Sequence, residues 1–297
     1  MTVGACVSEY NHLSSRNKGA LTCLRSQFAV FDPAATFAPP DCGPSAMKHL
    51  FALAAVLLLQ LVPAGAADYP TRVAITTART DPYTLVGQLF FASGRQDYIG
   101  SGVVITEDGV LTAGHNLYDR NTGWSTELEF RRGAYGDEAL EEQFASRVYL
   151  LSGYKARANQ WGGDNRRTFA VDLGGLRFTK PVANGAYAGW TTDLSRISSQ
   201  ASLKTIIGYG AERPNVGDYP LTVNTKRGFH RVVGGFWESN GVYFEGGMSG
   251  GPIFSRDSRG NLLVSGVVVS ASEAPYLAGG VRILNAKGAK LIQSFLQ

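Results

Sequence analysis

Glu245-Gly246-Gly247-Met248-Ser249-Gly250-Gly251-Pro252 sets one serine among four glycines and closes on a proline. Without a Cβ, the flanking backbone turns sharply and lets another chain or a ligand come close. A serine displayed in this way is either an activated nucleophile or an ordinary turn residue. If it is a nucleophile, neighbouring N–H groups hold a developing oxyanion. The stretch alone fits both readings, and the rest of the chain decides between them.

A serine hydroxyl is a weak nucleophile at neutral pH and needs a base to take its proton. Histidine serves, because its pKa lies near working pH. A buried carboxylate then fixes the imidazole tautomer and stabilises the imidazolium. Downstream of residue 67 the chain has two histidines, His115 and His230. His115 ends the apolar run Val110-Leu111-Thr112-Ala113-Gly114. His230 reads as a surface or pocket-rim residue at a strand edge. Among the carboxylates, Asp172 is the most deeply set in apolar sequence, within Phe169-Ala170-Val171-Asp172-Leu173. The set therefore reads His115, Asp172, Ser249 in chain order.

The surrounding pattern is that of an all-β protein. Thr84–Phe91, Tyr98–Thr106 and Val110–His115 are rich in β-branched and aromatic residues, and the last two are joined by Glu107-Asp108-Gly109, a hairpin signal. Strand-like pieces follow at Glu127–Arg131, Arg147–Leu151 and Phe169–Phe178. In the second half they fall at Leu203–Gly210, Tyr219–Arg227, Arg231–Trp237, Val242–Phe244, Gly251–Phe254 and Leu262–Ser270. Residues 68–82 read as an extended arm and Pro181–Gly189 as a connector. Many short strands with Gly-containing turns predict a barrel or sandwich. Leu291, Ile292, Phe295 and Leu296 recur at helical spacing and predict a short C-terminal helix. The acidic group Asp137, Glu138, Glu141 and Glu142 matches no metal loop and reads as a solvated turn of helix, so no metal is expected.

Upstream, Lys48-His49 precedes the apolar run Leu50–Val62, and small residues follow at Pro63-Ala64-Gly65-Ala66-Ala67. A basic start, a short apolar core and small residues before Asp68 predict a signal peptide over about residues 47–67, with export to the periplasm or medium. The run is shorter than the about 20 residues that span a bilayer. Residues 1–46, which hold Cys6, Cys23 and Cys42, read as a misassigned N-terminal extension. Cleavage near Ala67 leaves no cysteine, which excludes thiol chemistry and disulfides for the mature form. The net charge of +4 is mild, and the Arg pairs at 131–132 and 166–167 do not make a nucleic-acid footprint.

These residues together resemble the chymotrypsin-like serine proteases. The likeness rests on Gly100-Ser101-Gly102-Val103-Val104-Ile105, Leu111-Thr112-Ala113-Gly114-His115, Val171-Asp172-Leu173 and Gly247-Met248-Ser249-Gly250-Gly251-Pro252, and it spans roughly residues 80–285. The Ala-Gly-His form and the lack of cysteines look more like the bacterial secreted branch, which includes the glutamyl endopeptidases. The resemblance implies two packed six-stranded antiparallel β-barrels and a short C-terminal helix. A single protease domain would cover 68–297, with barrels at about 80–185 and 186–285. It implies His115 as base, Asp172 as its orienter and Ser249 as nucleophile, with the N–H groups of Gly247 and Ser249 as oxyanion donors. It also implies protein or peptide substrates, no cofactor, no stable membrane association, no nucleic acid, and a monomer.

Two departures qualify the resemblance. Many animal members carry an aspartate just before the nucleophile, which pairs with a new N-terminal amine on activation. Met248 stands there and cannot. Glutamate-specific relatives carry a histidine in the strand lining the primary pocket, whereas Ser265-Gly266-Val267-Val268-Val269-Ser270 has none. Tyr243, Val269 and Ser270 are the expected substrate-contacting positions. A non-catalytic binding protein on the same fold is the competing reading.

Overall fold

The computed structural model describes residues 67–211, 219–272 and 277–295. The expectations for the 1–46 extension, the signal segment up to Ala66 and the three cysteines lie outside the described residues.

The chain enters through β1 (Thr71–Arg72) and the turn α1 (Ile75–Ala78). It continues through β2 (Val86–Ser93), β3 (Gln96–Thr106), β4 (Gly109–Thr112), the short ribbon β5 (Tyr118–Asp119) and β6 (Gly123–Trp124), then β7 (Thr126–Arg132), β8 (Glu141–Phe144) and β9 (Arg147–Leu150). Two helical pieces follow, α2 (Tyr154–Trp161) and α3 (Arg166–Phe169), before β10 (Gly174–Arg177) and β11 (Gly189–Trp190). The second half holds α4 (Ser195–Ser198), β12 (Lys204–Tyr209), β13 (Pro220–Thr225), β14 (His230–Val233), β15 (Phe236–Asn240), β16 (Pro252–Arg256), β17 (Leu262–Ser272), β18 (Ala278–Ile283) and α5 (Ala286–Gln293). The protein is mostly β-sheet with few helices, as the sequence predicts. None of the described helices is long and apolar enough to cross a membrane.

The first sheet runs β8-β7-β2-β3-β4-β10-β9 and closes on itself. Its two ends, β8 and β9, are one bent segment separated only by Ala145 and Ser146. Ala145 N–H donates to Leu128 O on one side and Ser146 N–H donates to Arg177 O on the other, which carries the bend around the barrel. Counting that segment once gives six staves. Leu89, Val104, Val110, Phe130 and Leu176 fill the interior. Each side chain of this size contributes about 1.5–3 kcal/mol when fully buried.

The second sheet runs β1-β13-β12-β16-β17-β18-β15-β14, with β11 added in parallel to β17. Six strands, β13 to β15, form the barrel wall, and the N-terminal arm spans its seam. Thr71 and Arg72 pair with Thr222 and Leu221 of β13, while Asp68 pairs with Val242 just beyond β15. Ile206, Val223, Phe244, Met248, Ile253 and Val281 pack inside. A third cluster lies between the barrels and joins Val103 and Leu111 to Ile207, Tyr209 and Val267.

Several local expectations are corrected. Arg231–Trp237 is two strands, because Gly234-Gly235 turns the chain between β14 and β15. Val242–Phe244 makes only a single bridge. The acidic group spans a turn and β8 rather than a helical turn, since Glu141 and Glu142 pair across to Arg132 and Arg131. The arm contains a short helix, and α2 lies in what reads as polar loop. Phe169–Phe178 is not one strand: the chain leaves α3, turns at Asp172 and pairs only from Gly174.

Candidate active site

Asp172 sits at the turn between α3 and β10. Asn165 caps α3, its side-chain oxygen accepting from Arg167 N–H. Asp172 N–H then donates to Phe169 O, and Leu173 N–H to Val171 O. These bonds hold the carboxylate inward with no solvent exposure, among Ala170, Val171 and Leu173.

His115 leaves the end of β4 in a single 3₁₀ turn over Gly114–Asn116 rather than lying in the strand. Its backbone N–H donates to Asp172 Oδ1 at 2.9 Å, and its Nδ1 lies 2.7 Å from Asp172 Oδ2. An ionised carboxylate accepts there, so Nδ1 carries the proton and Nε2 is left as the acceptor. The glycine before His115 makes this approach possible. A Cβ on Gly114 would stand 3.0 Å from Asp172 Oδ1 and 3.1 Å from the Tyr154 ring. Burial pulls the His115 pKa down, but the charge and hydrogen bond of Asp172, with a further contribution from Asp164, raise it above 6.5.

The glycine-serine loop is held by the other barrel. Ser249 O accepts from Ser101 N–H at 2.8 Å and from Asn116 Nδ2 at 3.0 Å. Ser101 Oγ donates to Gly247 O and accepts from Tyr209 N–H, both at 2.8 Å. Asn116 Nδ2 also donates to Thr112 Oγ1, which itself donates to Ser101 O. Gly247 and Gly250 both have φ of 88°. At Gly250 a Cβ would fall 2.2 Å from Ser101 O, so only glycine serves there. Among the described residues, the N–H groups of Gly247 and Ser249 donate to no backbone carbonyl. Met248 is fully buried within the second barrel, where it anchors the loop by packing.

His115 and Ser249 open on one cleft of about 350 Å³ between the barrels. The second barrel contributes Phe244–Gly247 and Val268–Ala271, so the expected Val269 and Ser270 line it. The first barrel, the loop between α2 and α3, and α3 itself contribute Phe91, Tyr98, Asp119, Asp164 and Phe169. Glu245 also borders the cleft, but its carboxylate packs against Gly210 and is buried. Tyr243 does not line the cleft. Val242 pairs with Asp68, and the alternation of an extended chain then turns residue 243 away. Its ring tilts against Tyr69 with centroids 5.6 Å apart, and Phe244 takes the cleft position. His230 stands exposed on β14, outside the cleft lining.

Sequence reasoning gave Ser101 no role and missed Asn116 and Asp164. A serine between two glycines in an otherwise buried strand was a usable signal for Ser101. Asn116 and Asp164 carry none, since both follow from where distant segments meet.

Comparison with solved structures finds the same architecture in bacterial proteases. A Glu endopeptidase superposes with a TM-score of 0.61 at 18% identity, covering 78% of this chain and 99% of its own. The protease Anisep from Arthrobacter nicotinovorans gives 0.55 at 18% identity, over 71% and 93% of the two chains. The thermostable serine protease AL20 from an extremophilic microorganism gives 0.57 at 15% identity, over 72% and 98%. No family profile and no curated protein sequence matches the chain. These likenesses show that the chain has the chymotrypsin-like fold.

Proposed function

Taking the chymotrypsin-like fold as the premise, we propose that this protein is a secreted serine endopeptidase. The observation that carries the reading is the double hydrogen bond of buried Asp172 to His115, in a cleft shared with the glycine-bound Ser249. Ser249 Oγ attacks the scissile carbonyl carbon while His115 Nε2 takes its proton. The oxyanion is held by the N–H groups of Gly247 and Ser249, each worth about 2.7–4 kcal/mol of barrier. The tetrahedral intermediate collapses as the C–N bond breaks, and the imidazolium gives its proton to the leaving amine. Water then repeats the sequence on the acyl-enzyme and frees Ser249. Val269, Ser270 and Phe244 contact the substrate peptide. Asp172 stays ionised throughout and stabilises the imidazolium. No cofactor or metal takes part.

Export follows from the signal segment over about 47–67 and is checked by sequencing the N-terminus of the secreted protein, expected near Asp68. Activity is checked by labelling that protein with a fluorophosphonate probe. The expected result is labelling of the wild type and none of Ser249→Ala. A folded wild type that does not label would overturn the enzyme reading in favour of a binding protein on this fold.

A further inference from the structure

The two walls of the cleft that holds His115 and Ser249 differ in charge. The second-barrel wall presents Phe244, Val268, Val269 and Ala271. Its one acid, Glu245, is buried with its carboxylate against Gly210. The opposite wall carries Asp119, at the end of β5, and Asp164, in the loop between α2 and α3. Among the described residues, no Lys or Arg lines the cleft.

Asp119 is fixed in place. Its Oδ1 accepts from Asn121 N–H at 2.7 Å and from Thr122 N–H at 3.3 Å, which makes an Asx turn. Among the described residues it forms no ion pair. Asp164 is exposed, and its charge reaches His115, where it adds to the effect of Asp172 in raising the pKa. Both charges also reach the phenol of Tyr154. Its pKa is raised by burial first and then by Asp172, Asp119 and Asp164. The two carboxylates thus act on one neighbourhood beside His115.

The cations around this wall are engaged elsewhere. Lys155 Nζ lies over the rings of Tyr118 and Trp124, at 5.1 and 5.7 Å from their centroids. Arg166 pairs with Glu238, Arg167 stands over the Trp161 ring, and Arg157 Nη1 donates to Arg167 O. Arg120 reaches the loop of Asp164, its Nη1 3.6 Å from where a Cβ on Gly162 would stand, but it forms no ion pair among the described residues.

Building on the endopeptidase reading, we propose that the cleft selects peptides with a lysine or arginine beside the scissile bond, and that Asp164 and Asp119 determine this preference. An extended peptide sends successive side chains to opposite sides. A residue packed on Phe244 and Val269 therefore turns its neighbour toward the acidic wall. A lysine or arginine there meets a carboxylate inside a cleft, where such a pair is stronger than in open water. An acidic residue at the same place is repelled.

A mixed-sequence peptide library tests this in two arms. Wild type is read by the bonds it cleaves, and Ser249→Ala by the peptides it retains at low ionic strength. Lys and Arg should be enriched at one position next to the cleaved bond and among the retained peptides. Synthetic peptides matched to the best-cleaved sequence, with Lys or Gln at that position, should then differ in kcat/KM by roughly tenfold, and less at high salt. Asp119→Asn with Asp164→Asn should bring that ratio close to one, and the asparagine oxygen keeps the acceptor of the Asx turn. The ratio is the deciding quantity. A lost effect of Asp164 on His115 alters both peptides alike, so only a charge that meets the substrate moves it. Cleaved bonds without Lys or Arg enrichment, or an unchanged ratio in the double variant, would overturn the proposal. Retention of basic peptides without cleavage or fluorophosphonate labelling would instead keep the preference and remove the endopeptidase reading.

Discussion

At the scale of single residues, His115 and Asp172 make the sharpest prediction. Burial alone would leave the imidazole neutral at lower pH, but the Asp172 charge outweighs it and the His115 pKa lies above 6.5. In the proposed role of general base His115 must be neutral, so kcat/KM should rise with pH through a midpoint above 6.5. A profile flat well below pH 6 would remove His115 from that role. Stability runs the other way. A pKa raised on folding stabilises the folded state fully below 6.5, and that contribution fades as pH climbs through the folded value. Thermal melting of Ser249→Ala, which cannot digest itself, reads this without interference. Asp172→Asn removes the charge and the tautomer control together, and should cut kcat by roughly 10³–10⁴-fold with the acid limb moved to lower pH. The types of these residues were legible in the sequence. What favoured Asp172 over other carboxylates was its apolar surroundings, and these proved to mark a buried turn rather than a strand.

At the scale of elements, the nucleophile loop takes its shape from β3 and β12 as much as from its own glycines. Ser101 Oγ ties Gly247 O to Tyr209 N–H and so couples three segments at once. Ser101→Ala leaves a buried N–H and a carbonyl without their partner, at about 1–3 kcal/mol for such a loss. Tm should fall by roughly 2–4 °C per kcal/mol in a chain of this size. Fluorophosphonate labelling should slow as well, because Gly247 lies in the proposed oxyanion hole. Unchanged melting together with unchanged labelling would refute the coupling. Met248 acts at the same scale. Its buried side chain fixes by packing what the sequence shows no charged partner to fix.

At the scale of the whole molecule, the second barrel depends on the arm that precedes the first. The arm lies across the seam between β13 and β15, with Asp68 bound to Thr225 Oγ1 at 2.6 Å and Arg227 Nε at 3.1 Å. The ring contact of Tyr69 with Tyr243 adds to it. A variant lacking residues 68–72 loses this pairing, and its Tm should fall by roughly 5–10 °C, corresponding to about 2–3 kcal/mol. An unshifted melting curve would show that the barrel closes without the arm. Nothing in residues 68–82 announced this role. Two pairing residues and one bridge are too short for any periodicity to register.

The sequence by itself determined the local terms. Alternating apolar residues and Asp-Gly turns made β-strands the cheapest local structure. The glycines around Ser249 allowed one tight loop, and the order of His115, Asp172 and Ser249 limited the chemistry. Those properties follow from sterics and burial within a few residues, so they can be read along the chain. The tertiary structure alone decided which distant groups meet. It brought Asn116 to Ser249 O, turned Phe244 rather than Tyr243 to the cleft, laid the arm over the barrel seam and buried Arg282 against the Gly234-Gly235 turn. Each depends on how two closed barrels are registered against one another. That register is fixed by pairing and packing summed over the whole chain, which no single stretch carries.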